Sequence, residues 1–262
     1  MVVLRKELKK GARGFIVWTL AITFMLVVCI VIYPEMKGEI EGVQDIFSNM
    51  GAFSDAFGMN QLNFGTLIGY YGIECGNTLG MGGGFFAAII GISILSKEEK
   101  NRTAEFLLTH PIRRSRVIVE KLFAVLIQVV IFNLFVTAMG YLTIKIIGES
   151  VPDKEFLLIH MGYFLLQLEI ALICFGFSAF IKRGGVAIGV GFATFMYFAN
   201  LLSNITEKTE FLKYITPFAY ADPASIVSDR ALDVFLVTLG MCYAVLAVLI
   251  GFLRYSEKDI AS

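Results

Sequence analysis

Six long apolar stretches dominate the sequence and restrict its possible folds. They cover approximately residues 15–33, 68–95, 117–147, 156–181, 186–202 and 234–253. A helix that crosses the ~30 Å hydrocarbon core of a bilayer needs about 20 mostly apolar residues. Only 17% of the 262 residues are charged, whereas soluble domains average ~25%. The sequence therefore predicts an all-α, polytopic integral membrane protein with six transmembrane helices.

A basic segment, residues 1–14, precedes the first apolar stretch. That stretch is longer than the ~7–15 apolar residues of a signal peptide, and no small-residue cleavage site follows it, so we expect a retained first span. Within the basic segment, Leu4 and Leu8 lie one turn apart among four Lys and Arg residues. This pattern predicts a cytoplasmic amphipathic helix that contacts anionic membrane lipid.

The distribution of basic residues predicts the orientation. If the N-terminus is cytoplasmic, sixteen of the 22 Lys and Arg residues fall on the cytoplasmic side. Cytoplasmic loops of membrane proteins are enriched in these residues. We therefore expect both termini in the cytoplasm and the protein in the cytoplasmic membrane. The two longer segments on the other side, residues 34–67 and 203–233, mix acidic and apolar residues and predict short amphipathic helices that cap the bundle.

The sequence lacks the motifs of several enzyme classes. It has no GxxxxGK[ST] phosphate loop, HEXXH zinc motif or GxSxG nucleophile elbow. The run GMGGGFF, residues 80–86, lies within an apolar stretch and predicts close helix packing instead of nucleotide binding. His110 and His160 are predicted at opposite membrane faces, so we expect no metal site and no catalytic activity. The four cysteines are dispersed, and a bond between Cys75 and Cys242 is left open.

Glu169 lies midway along the fourth apolar stretch. An ionisable group in hydrocarbon is costly and is usually paired or functional. Gln167 is the nearest polar residue in sequence, so a partner must come from another helix or from water. Two interpretations stay open, a protonated or hydrogen-bonded carboxyl inside the bundle and a residue that lines a substrate path.

A charged segment, residues 97–121, separates the second and third apolar stretches on the basic side. Glu98 and Arg102 are four residues apart, a spacing that pairs opposite charges on one helical face, and Pro111 is expected to end the helix. The pattern predicts a short amphipathic helix clamped between two spans. Such a helix can bind a groove on a partner protein, but it is equally consistent with a surface turn that only carries positive charge.

This segment resembles the membrane subunits of ABC-2 type transporters, in particular the six-span permeases related to sodium-exporter and copper-maturation permeases. The family pattern is similar to EE, several residues, GT-x-E-x-LL-x-x-P-x-x-R, and then Lys at the start of the third span. The matching residues here are Glu98, Glu99, Thr103, Glu105, Leu107, Leu108, Pro111, Arg114 and Lys121. One departure is Arg102, where the family usually has glycine. Similarity also extends to Lys182 and Arg183, to residues 215–223 and to residues 255–260, so it covers the whole chain as one domain, residues 1–262.

The resemblance implies a permease dimer, formed with an identical copy or a sibling, above two cytoplasmic ATPase subunits. ATP and Mg²⁺ would be bound by the ATPase subunits and not by this chain. The Glu98 to Pro111 segment would be the coupling helix, and the amphipathic N-terminus would be the family's interfacial elbow helix. Membrane lipid is an expected partner and nucleic acid is not.

Two functions are therefore compared. The first is the permease of an ATP-driven exporter, and the second is an ion-coupled secondary transporter that uses Glu169. The second would be expected to show inverted repeats and broken helices, and the sequence indicates neither. The aromatic residues of the fifth stretch favour a hydrophobic or amphipathic cargo, but the sequence does not identify the substrate.

Overall fold

The computed structural model describes residues 2–38, 50–59, 62–63, 65–100, 114–150, 152–181 and 185–257, with the backbone alone at Cys75 and 97–100. All described secondary structure is helical, and six helices are long and apolar enough to cross a membrane. These spans, numbered in chain order, are Val2–Met36, Leu67–Lys100, Arg114–Ile146, Asp153–Ser178, Val186–Ile205 and Val234–Glu257. The prediction of an all-α membrane protein with six transmembrane helices is confirmed.

The first span differs from the expected elbow followed by a span. Its helix runs without a break from Val2 to Met36, so the basic N-terminal segment forms its first turns. Val3 and Glu7 of this segment are buried. Packing inside the protein therefore holds these turns in line with the span. The segment is helical as expected, but it is not a separate interfacial helix.

The second span is interrupted near its middle. It consists of the α-helix Leu67–Cys75, a π-helical segment Gly76–Gly82 and the α-helix Gly83–Lys100. Thr66 begins the span by accepting a hydrogen bond from Gly69 N on its side chain, which satisfies one of the free N–H groups of the first turn. A π-turn contains one residue more than an α-turn and is common at functional sites. The span stays helical throughout, and the sequence analysis did not predict this change of helix type.

The second and fourth spans form the centre of the bundle. The second packs against the first, third, fourth and fifth spans, and the fourth also packs against the third and sixth. Small residues permit the closest approaches. A Cβ atom at Gly91 of the second span would overlap the carbonyl oxygen of Ala171 in the fourth. Gly176 of the fourth span packs equally closely on Ala247 and Gly251 of the sixth. Glycines at these crossings bring the helix backbones into contact, which is a common mode of packing in membranes.

The glycine-rich run of the second span is also a packing surface. Gly80 faces the rings of Tyr163 and Phe218, and Gly83 lies directly against the amide of Gln167. A side chain at Gly83 would displace the Gln167 amide, and one at Gly80 would press on the Tyr163 ring. The prediction that this run serves helix packing is confirmed.

Short helices lie at the end of the bundle where the third span ends and the fourth begins. They are Ala52–Ala56, the 3₁₀-helix Glu207–Tyr214 and Pro223–Asp229. Asp222 caps the last of these by accepting a hydrogen bond from Ala224 N, and Pro223 occupies its first turn, where a missing N–H has no cost. The prediction of short helices in both longer loops is confirmed for the described part of the chain.

Contacts between distant segments show which helix ends lie together. Lys121, near the start of the third span, contacts Glu7 of the first. Arg114 donates a hydrogen bond to the carbonyl oxygen of Ser256 near the end of the sixth. The beginning of the first span and the end of the last therefore lie at the same end of the bundle, called here the terminal end. The opposite end is called the distal end.

Candidate functional site

The predicted coupling residues divide into two groups. Arg114 and Lys121 are described, and Glu98 and Glu99 belong to the helix that completes the second span, with only their backbone described. The remaining residues lie outside the described part of the chain; they are Arg102, Thr103, Glu105, Leu107, Leu108 and Pro111. The structure therefore describes the two helices that hold the predicted coupling segment.

A buried ion pair joins these two helices to the first span. Lys121 Nζ lies 2.8 Å from Glu7 Oε1, and both side chains are at most 1% exposed. Lys121 Nζ also donates a 2.8 Å hydrogen bond to the carbonyl oxygen of Ile94 in the second span. One ammonium group thus connects the first, second and third spans. We call Glu7, Lys121 and the Ile94 carbonyl the charged junction.

A second set of contacts lies beside the charged junction. Glu120 accepts a 3.1 Å hydrogen bond from Leu4 N and a 3.0 Å bond from Arg116 Nε. The Leu4 amide is one of the first N–H groups of its helix, and these have no partner within the helix. Glu120 therefore caps the first span from the third, which fixes the start of the chain to the helix that follows the predicted coupling segment.

The sequence analysis named Lys121 among the coupling residues but did not identify Glu7 as its partner. Glu7 is the one acidic residue in the basic segment 1–14, and that feature was a signal for an ion pair. A buried lysine requires a carboxylate or carbonyl partner because an unpaired buried charge is strongly destabilising. The position of Lys121 inside an apolar helix therefore implied such a partner, although spacing alone could not identify it.

Glu169 is fully enclosed in the bundle. It is 1% exposed, and its Oε2 accepts a 2.8 Å hydrogen bond from the hydroxyl of Tyr220. Burial and the nearby Glu169 carboxylate raise the pKa of Tyr220 well above its ordinary value, which keeps the hydroxyl protonated as a donor. Gly240 of the sixth span lies directly against the carboxylate.

The partner of Glu169 thus comes from the loop before Pro223–Asp229 and not from another transmembrane helix. Tyr220 was not singled out from the sequence, because nothing local to it indicates a contact with the fourth span. The observed geometry fits the first interpretation of Glu169, a hydrogen-bonded carboxyl inside the bundle. Its assignment to a substrate path stays a prediction.

Gln167 links the π-helical segment to the third span. Its Nε2 donates to the carbonyl oxygen of Leu79 at 3.1 Å, and its Oε1 accepts from Asn133 Nδ2 at 2.8 Å. A carbonyl of the widened turn is thereby satisfied inside the apolar bundle, where an unpaired backbone group is costly. Gln167 was noticed only as a neighbour of Glu169, and its role depends on the interrupted second span.

His160 of the fourth span is held by hydrogen bonds to side chains of the second and third spans. Its Nε2 is 2.6 Å from the hydroxyl of Tyr71, and its Nδ1 is 2.9 Å from Thr137 Oγ1. No group of three or more His, Cys, Asp and Glu side chains suited to a metal ion occurs among the described residues. Cys242 is a free thiol, as are Cys29 and Cys174.

These features define a class, a polytopic α-helical membrane protein whose polar groups stabilise contacts between spans. Residues 1–260 match the family model described as ABC-2 family transporter protein. The chain therefore belongs to the ABC-2 transporter family and is a permease component of an ABC transporter. No curated protein matches the sequence.

Proposed function

We propose that this chain is the membrane subunit of an ATP-driven exporter in the cytoplasmic membrane and that a separate ATPase subunit hydrolyses the ATP. The match to the ABC-2 family over residues 1–260 carries this proposal. The absence of a phosphate loop in the sequence agrees with it, because the chain then needs a partner to use ATP. The active unit contains two permeases, either identical copies or siblings.

The geometry supports a mechanical role for residues 98–111. The segment leaves the end of the second span and rejoins the start of the third, and the charged junction ties both helices to the first span. Separating the partners of a buried ion pair is costly, because each would leave an uncompensated charge in the interior. A displacement of the segment by an ATPase subunit would therefore move three spans together and change access to a path between permeases.

Orientation is part of the proposal. Among the described residues, the terminal end carries most of the Lys and Arg, so we place it in the cytoplasm with both termini and the coupling segment. The short helices of the distal end then lie on the outer surface. The ATPase subunits bind Mg²⁺ and ATP from the cytoplasmic side.

The first experiment is purification of the tagged protein from its native cell in mild detergent, with identification of co-purifying proteins by mass spectrometry. We expect a stoichiometric ATPase with a phosphate loop. Reproducible isolation of folded protein without such an ATPase would contradict the proposal and favour ion-coupled transport.

Coupling is tested in the same complex with Glu105→Lys and with Leu108→Asp. Each variant should insert normally and lose most of its ATP-dependent transport, because each removes a surface expected to contact the ATPase. Glu257→Lys is the matched control, since Glu257 is exposed at the terminal end and outside the coupling segment. Unchanged transport in both coupling variants would reject the assignment of the coupling segment.

A further inference from the structure

A groove lies between the third and fourth spans in the distal half of the bundle. Its volume is about 750 Å³. The walls are mainly apolar and include Leu134, Ala138, Tyr141, Leu157, Met161 and Phe164. The Leu134, Leu157 and Met161 side chains are exposed to the surroundings of the protein. The groove is therefore open along the side of the bundle that faces the membrane.

His160 and Asn133, the polar side chains deep in the groove, already have partners within the protein. His160 contacts Tyr71 and Thr137 through its two ring nitrogens. The Asn133 amide nitrogen donates to Gln167 and to a backbone carbonyl. A molecule bound in the groove would therefore contact mostly apolar side chains. A polar cargo would find few groups to replace its lost hydration.

The length of the groove matches one leaflet of a bilayer. Along the third span it extends from Val130 to Tyr141, which corresponds to about 16 Å at 1.5 Å per helical residue. The hydrocarbon core is ~30 Å thick, so one leaflet contributes about half of this. An extended acyl chain of a membrane lipid therefore fits the groove from its distal mouth to the bilayer midplane.

The mouth of the groove carries one charge of each sign. Lys145 Nζ lies 5.3 Å from the ring centroid of Tyr141, a residue of the groove wall, and Asp153 lines the opposite wall. Both side chains are exposed, and neither forms an ion pair with another residue in the described part of the chain. In contrast, Lys37 and Glu149 at the same end are paired with each other.

We propose that this groove binds a phospholipid with a zwitterionic headgroup and a primary ammonium, namely phosphatidylethanolamine. One acyl chain occupies the groove, the phosphate lies toward Lys145 and the ammonium donates to the Asp153 carboxylate. Charge-assisted hydrogen bonds of this type are stronger than neutral ones. A choline headgroup has no N–H to donate to Asp153 and therefore binds less well. This lipid site does not depend on the ATPase partner of the proposed transport function.

The chain contains a single tryptophan, Trp18, which permits a direct test. In a Trp18→Phe background, Leu134→Trp places a reporter in the groove. Val245→Trp places the matched reporter on the sixth span, at a similar distance from the distal end and outside the groove. Both native side chains are exposed, at 67% and 55%. Each protein is reconstituted into phosphatidylcholine vesicles with increasing amounts of brominated phosphatidylethanolamine, which quenches tryptophan on contact.

We expect half-maximal quenching at residue 134 at a mole fraction about fivefold lower than at residue 245, which corresponds to about 1 kcal/mol of preferential binding. Met161→Trp, on the opposite wall, is a second groove reporter and should behave like residue 134. As a lipid control, brominated phosphatidylcholine is added to vesicles of ordinary phosphatidylcholine. It should quench the groove reporters and the control reporter at the same mole fraction. Adding Asp153→Asn and Lys145→Gln should remove the preference in the groove and leave residue 245 unchanged.

Three results would overturn the proposal. The first is the same quenching curve at the groove and control positions. The second is a preference that persists after both mouth charges are removed. The third is a groove reporter that no brominated lipid quenches, which would show that protein covers the groove, such as a second copy of this chain. All variants are compared as monodisperse protein in size-exclusion chromatography before reconstitution.

Discussion

Lys121 shows how one residue can be both buried and charged without destabilising the bundle. Its ammonium group has a carboxylate from the first span and a carbonyl from the second within 2.8 Å. Breaking such a pair on one side leaves an uncompensated charge, whereas replacing both partners with apolar residues is often neutral. The two partners should therefore respond very differently to single and double substitution.

We predict that Lys121→Met lowers the free energy of unfolding by about 3–5 kcal/mol. The double variant Glu7→Leu with Lys121→Met should recover most of this loss. Thermal or denaturant unfolding of the protein in detergent measures both. Lys145→Met is the control at an exposed lysine of the same span, and it should change stability by less than about 1 kcal/mol. A double variant as unstable as the single one would contradict the explanation.

Glu169 separates the two transport mechanisms. In Glu169→Gln the amide oxygen can still accept the hydrogen bond from Tyr220, so the bundle should fold normally. Under ATP-driven export we expect transport to stay within about threefold of the native rate, a change of under 1 kcal/mol in the barrier. Under ion coupling, transport should be lost with the titratable carboxyl. Transport in vesicles with and without ATP distinguishes these results.

The second and fourth spans form the contact on which the bundle is built. Gly91 lies so close to the Ala171 carbonyl that any Cβ must displace a backbone. A change of side-chain rotamer in either helix could not relieve a clash at this crossing. Gly191 of the fifth span, in contrast, has open space around its Cα. These two glycines provide a matched pair for testing whether close packing is essential.

We predict that Gly91→Ala destabilises the protein by about 1–3 kcal/mol, as overpacked cores do. Gly191→Ala should leave stability unchanged or raise it by up to about 1 kcal/mol, because alanine favours helix over glycine. The measurement is the unfolding midpoint of each purified variant. Equal effects at the two positions would show that the crossing between the second and fourth spans is not close-packed in the membrane.

At this level most of the fold could be predicted from the sequence. The number of spans and their approximate bounds depend on apolar length, which the sequence shows directly. The π-helical segment could not be predicted, because it is stabilised by Gln167 of another span. The contact between Glu7 and Lys121 and that between Glu169 and Tyr220 were missed for the same reason, since each joins residues more than 50 positions apart.

The whole molecule has two chemically different ends. The terminal end contains the charged junction and holds the predicted coupling segment, and the distal end contains the short helices and the mouth of the groove. A difference in charge between the two ends is expected of a polytopic membrane protein, because cytoplasmic loops are enriched in Lys and Arg. It also makes the orientation testable with two residues.

In a cysteine-free background, we predict that Lys208→Cys reacts with a membrane-impermeant maleimide in intact cells. Glu257→Cys should react only after the membrane is permeabilised. Both positions are exposed in the protein, so access through the membrane decides the result. The opposite labelling pattern would reverse the proposed orientation and exclude residues 98–111 as a contact for a cytoplasmic ATPase.

The π-helical segment of the second span also affects which changes of length the chain can tolerate. Because this wide turn holds one residue more than an α-turn, deleting a residue within Gly76–Gly82 would convert it to regular α-helix. The α-helices that flank this segment would then keep the same faces toward the rest of the bundle. A deletion inside the regular fourth span would instead rotate everything beyond it by about 100°. The protein can therefore lose one residue from the second span, whereas it cannot lose a single residue from the fourth span.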